Sequence, residues 1–139
     1  MKPNLGVAVF VGWMTQLGLS ALLPGVAIVI GRGISMASGG DGSWGEHANQ
    51  PHESGWHLTQ AMIFLGAFIA GYLAGRLVPR RIAMSAAALF LLVILGKFFE
   101  QFPMPPTVFA LIEWGLAPSV GIVVGSATAW LATRRQAKD

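Results

Sequence analysis

The chain has no cysteine and very few charges, and each absence closes off a class of function. Without cysteine there is no disulfide framework, no thiolate metal site and no sulfur nucleophile. Charged residues make up 11% of the chain and hydrophobic ones 54%, against a charged share of roughly 25% in soluble proteins. A soluble fold of 139 residues could not cover its surface with so few charges, so hydrocarbon is the expected medium around most of it. No nucleophile, base and orienting residue share a recognisable pattern, so no enzyme activity is expected. No histidine lies deep in an apolar run where a haem could be held, and no cofactor is expected.

The charges that are present are unevenly placed. Lys2, Arg76, Arg80, Arg81, Arg134, Arg135 and Lys138 fall at segment ends that a four-span arrangement puts on one side, and Arg32 and Lys97 fall on the other. That asymmetry is the positive-inside pattern, and it explains the net charge of +3 better than a nucleic-acid surface does. No nucleic-acid partner is expected.

Four apolar segments can be read along the chain: 5–30, 60–78, 82–102 and 107–133. The first holds no ionisable group. At about 1.5 Å per residue it is long enough to cross a hydrocarbon core of roughly 30 Å with tilt to spare. Lys2 ahead of an apolar run also fits a signal peptide, but the run is longer than a usual signal h-region. Pro24 removes a backbone donor and can kink the segment, and Thr15, Gln16 and Ser20 bring polar atoms able to bond across to another helix. Residues 32–57 change character to glycine, serine and histidine, which reads as a flexible periplasmic loop. Its Trp44 and Trp56 are expected at headgroup depth. Short corners at Val78-Pro79-Arg80-Arg81 and Pro103-Met104-Pro105-Pro106 force neighbouring segments antiparallel. The expected fold is therefore an all-α membrane protein. It is a single integral domain (residues 1–139) of four transmembrane helices in an up-down antiparallel bundle, with both termini cytoplasmic, in a bacterial inner membrane.

Two stretches carry small residues at four-residue spacing. Ala67, Gly71 and Gly75 stack on one face of the second segment, and Ala117, Gly121, Gly125 and Ala129 on one face of the fourth. Such faces let a second backbone approach closely. The two segments superpose without gaps when Ala67 is matched with Gly121, Gly71 with Gly125 and Gly75 with Ala129, which makes them smooth-faced helices of the same direction. The faces serve either packing inside the bundle or docking onto a second protein or a second copy.

Glu113 stands in an apolar stretch between Ile112 and Trp114, where a carboxylate must be protonated, paired or facing water. Two readings are open: a proton or cation site tuned by Lys97 and Glu100, or an acid near the outer interface that pairs with Lys97. Lys97 and Glu100, three residues apart, can also pair with each other. Pro118 can loosen the helix beyond Glu113. His47, His52 and His57, with Glu46 and Glu53, have the chemistry to bind zinc or copper. Their spacing of five matches no compact metal motif and fits a solvated loop better.

These observations lead to the expectation of a small polytopic membrane protein that acts through helix–helix contacts, as an accessory or assembly subunit or a homo-oligomer. Its expected partners are the lipid bilayer and either itself or another membrane protein. The alternative is a small oligomeric proton- or cation-coupled transporter or channel using Glu113.

Overall fold

The computed structural model describes residues 4–46, 55–100 and 108–136, with the side chains of 97, 100 and 108–113 left aside. Among the described residues there are four helices and no strand. They are α1 (Leu5–Ala37), α2 (Trp56–Leu77), α3 (Ile82–Glu100) and α4 (Val108–Gln136). Three are long and apolar enough to cross a membrane: α1, α2 and the Trp114–Gln136 part of α4. The apolar stretch of α3, Ile82–Gly96, is shorter.

Each boundary has a local cause. At the start of α1, the Asn4 side chain accepts a hydrogen bond from the Val7 amide at 2.9 Å, satisfying one of the amides that a helix start leaves open. The helix ends in a Schellman turn. Gly39 adopts φ +87°, its amide donates to Met36 O, and the Gly40 amide donates to Ser35 O at 2.8 Å, a turn that favours glycine because its reversing residue is left-handed. Gly55, at φ +88°, precedes α2. Val78, Pro79, Arg80 and Arg81 make the corner between α2 and α3, with the Arg81 amide donating to Val78 O at 2.8 Å.

These ends correct the sequence reading of the first connection. The helix does not stop at Ile30 but carries Arg32, Gly33 and Ile34 to Ala37, and α2 begins at Trp56, so the connection is shorter than residues 32–57. The described part of that connection is not a free loop. It turns back along α1, with the Trp44 ring lying over Gly31 and Gly45 reaching Ile28. Arg32 Nε donates to Trp44 O at 3.1 Å and pins the turn.

All three other helices pack on α2. Gly66 of α2 lies against Leu19 and Ser20 of α1, while Ala74 lies against Gly12, so numbers rise on one helix as they fall on the other. The core cluster sets alanines against three branched residues, Ala67 and Ala74 with Leu89, Val93 and Ile122, flanked by Val9, Trp13 and Ala86, and small residues such as Gly71, Gly75, Gly121 and Gly125 are buried beside it. Many large apolar side chains instead point outward, among them Phe10, Leu22, Val29, Ile34, Phe99 and Val123. An interior of small residues under an exterior of large ones inverts the soluble pattern and agrees with helices that associate by close backbone packing.

Candidate functional site

The two smooth faces meet each other. A Cβ placed on Gly121 would lie 2.7 Å from Ala67 Cβ and 2.6 Å from Phe64 O. One on Gly71 would lie 2.5 Å from Ile122 O, and one on Gly75 would lie 2.9 Å from Ala129 Cβ. At Gly125 it would overlap the Phe68 carbonyl oxygen and stand 3.0 Å from Tyr72 N. The Ser126 hydroxyl donates across the seam to Gly71 O at 3.4 Å. Positions rise together on both helices, so α2 and α4 run in the same direction. Two of the pairs superposed in sequence, Ala67 with Gly121 and Gly75 with Ala129, are in contact. Ala117 stands apart from this seam, half-buried beside a groove of about 370 Å³ with Trp56, Gln60, Leu116 and Val120. From Ala67 to Gly75 on α2 and from Gly121 to Ala129 on α4, neither ladder is left open for a partner.

One end of the molecule gathers the basic residues. Arg76, Arg80 and Arg81 border a cleft of about 700 Å³ together with Asn4 and Leu5. Arg76 Nη1 donates to Gln136 Oε1 at 2.8 Å, which brings the end of α4 to the same place. The Arg134 guanidinium stands 3.8 Å from the centre of the Trp130 ring, a cation–π contact that holds the charge beside an exposed aromatic face. At the opposite end of α1, Asp41 accepts from both the hydroxyl of Ser43 at 2.6 Å and its amide at 2.9 Å. Those two bonds, the hydroxyl first, hold its carboxyl below the ordinary value of 3.8, because they favour the charged form.

The other sequence candidates divide. The side chains of Glu113, Lys97 and Glu100 lie outside the described residues, as do His47 and His52 altogether. His57 is exposed in the first turn of α2, and no group of three His, Cys, Asp or Glu is close enough to hold a metal among the described residues. Trp56 is buried, edge-on against Trp114 with ring centres 4.9 Å apart. The Gln16 amide, expected to bond across to another helix, instead donates from Nε2 to Ser20 Oγ of its own helix at 2.8 Å.

The structure also shows polar groups that the sequence reading passed over. Thr59 and Gln60 sit among apolar neighbours in the first turns of α2, and Thr59 Oγ1 and both amide atoms of Gln60 are buried without a hydrogen-bond partner. Their signal in the sequence is only a Thr-Gln pair at the start of an apolar run, which is ordinary for a helix start.

The least covered helix is α1. Ala8, Gly12, Gln16 and Pro24 are its buried residues. Met14, Gly18, Leu22, Gly25 and Val29 are all exposed, and they fall on one face by helical spacing. A Cβ on Gly18 or Gly25 would meet nothing within 4 Å. Comparison with protein-family models, curated proteins and solved structures finds no match for the chain.

Proposed function

We propose that this chain is a four-span helical protein of the bacterial inner membrane, with both termini cytoplasmic. It works by helix contact, as an accessory or assembly subunit or a homo-oligomer, without chemistry of its own. The observation that carries the contact reading is the bare face of α1, where Gly18 and Gly25 open hollows between Met14, Leu22 and Val29. The small-residue faces of α2 and α4, the first candidates in the sequence, are occupied by each other, so the surface offered to a partner moves to α1. A face with glycine hollows between large side chains suits close approach of a second helix. The orientation rests on the arginines gathered around the α2–α3 corner and the end of α4, since short basic connections are held on the cytoplasmic side.

The contact reading is tested by the mass of the native particle in mild detergent. Gly18→Leu and Gly25→Leu fill open space, so each is expected to leave the fold intact while lowering that mass to the single chain. A wild-type protein already at single-chain mass, or variants with an unchanged larger mass, would remove α1 as the contact face. Topology has its own measurement. A periplasm-active reporter fused at Gly40 is expected to be active, and the same reporter after Lys138 silent; the reverse pattern would overturn the orientation.

A further inference from the structure

The corner that joins α2 to α3 stands beside the start of α1, and the cleft between them, about 700 Å³, is within the roughly 300–1,000 Å³ of small-molecule sites. Its border is of two kinds. Arg76, Arg80 and Arg81 bring positive charge, and Leu5, Leu77 and Pro79 bring apolar surface. Arg76 is half-buried and donates to a neutral amide, that of Gln136. Arg80 and Arg81 are exposed. Five of the six acids belong in chain order to the opposite helix ends: Asp41 and Glu46 follow α1, Glu53 precedes α2, Glu100 closes α3 and Glu113 stands near the start of α4. The sixth, Asp139, follows α4, but Lys2, Arg134, Arg135 and Lys138 join the three cleft arginines at this end. Seven bases against one acid leave it positive however residues 1–3 and 137–139 are arranged.

We infer that this cleft holds the head of an anionic phospholipid, its phosphate among the arginines and its acyl chains on the apolar side. Three arginines around one space repel one another, and an anion between them relieves that repulsion. Phosphate is the anion whose oxygens match the paired N–H donors of a guanidinium. Two helices also begin here, α1 at Leu5 and α3 at Ile82, and each adds the positive end of its dipole. A zwitterionic head would bring a positive charge back to the arginines, so the excess selects a head of net negative charge. The apolar part of the border selects a lipid over free phosphate. This inference rests on the membrane reading proposed above. On that reading Leu5 and Leu77 end two helices of spanning length, so the cleft opens at headgroup depth, where basic pockets between helices take anionic heads.

The test uses the full chain in a mild neutral detergent, titrated with phosphatidylglycerol, with phosphatidylcholine of the same acyl chains and with inorganic phosphate, and read by native mass spectrometry. Phosphatidylglycerol is expected to bind saturably, one per chain, at least about tenfold tighter than phosphatidylcholine. Inorganic phosphate in large excess is expected not to displace it. Changing Arg80→Gln and Arg81→Gln together, both exposed, is expected to weaken that binding about 30-fold. Changing Arg134→Gln and Arg135→Gln together removes the same charge from outside the cleft and is expected to weaken it less than about threefold. The two pairs differ in place and not in charge, so their comparison separates a site from the general field of the basic end. Equal losses from the two pairs, equal binding of phosphatidylcholine, or no saturable binding by wild type of native helicity would overturn the site. Displacement by inorganic phosphate would overturn the lipid as its occupant. A chain that stays dispersed without detergent would overturn the membrane reading and this inference with it, whereas the other outcomes leave that reading standing.

Discussion

Gly125→Leu is expected to break the α2–α4 seam and destabilise the fold by about 3 kcal/mol or more, at or above the top of the usual range for overpacking. The reason is what stands in the way. Even a single Cβ at this position overlaps the Phe68 carbonyl oxygen and crowds Tyr72 N. Those are backbone atoms of a helix, unable to rotate aside as a side chain would, so relief requires the two helices to part. Parting them strips the contacts of Gly71 with Ile122 and of Gly75 with Ala129 at once, because all lie along one seam. Unfolding in a graded series of dodecyl sulfate, followed by helical circular dichroism, measures the loss. Gly18→Leu, which meets nothing, should stay within about 0.5 kcal/mol of wild type in the same assay. If Gly125→Leu were as stable as wild type, α2 and α4 would not be packed as described.

Leu89→Ala is expected to cost about 2 kcal/mol, near the bottom of the range of roughly 2–5 kcal/mol for such truncations in water-soluble cores. Leu89 is completely buried, and its two methyl groups reach into the hollow over Gly12, where an added Cβ would stand 2.9 and 3.1 Å from them. In water, truncation forfeits both the transfer of methyl groups out of solvent and their packing. In a bilayer the separated helix keeps its leucine in hydrocarbon, so the transfer part largely disappears and the cavity part remains. Pairing the change with Gly12→Ala should recover about 1 kcal/mol, since the new methyl on α1 enters the space vacated on α3. The same unfolding series measures both. A cost well above 4 kcal/mol would indicate that the unfolded reference is wet, and strict additivity of the pair would deny the contact.

The apolar runs and the proline and arginine corners made the helices legible, since length and hydropathy alone define such segments. The end of α1 was harder. Arg32 and Gly33 look like a departure into loop, yet Ile34 and Met36 keep the helix going to the signal that stops it, the Gly39-Gly40 pair of the Schellman turn. The smooth faces of α2 and α4 could be read from spacing, while their mutual contact could not, because a small-residue stripe carries no label for its occupant. Trp56 shows the same gap: its edge-on contact with the Trp114 ring ties the start of α2 to α4, and no spacing in the sequence reveals it. Thr59 and Gln60 were unremarkable as letters, and Gln16 stood out only as a polar residue in an apolar run. Their interest comes from burial, which depends on which helices surround them.

The shared direction of α2 and α4 sets an order of assembly. A hairpin neighbour is at hand as soon as it is made, but α2 docks its glycine face on a helix separated from it by the whole of α3. During synthesis that face stays uncovered until α4 has been made. For that interval the nascent chain presents a close-approach surface to whatever lies near it, and the folded protein withdraws it.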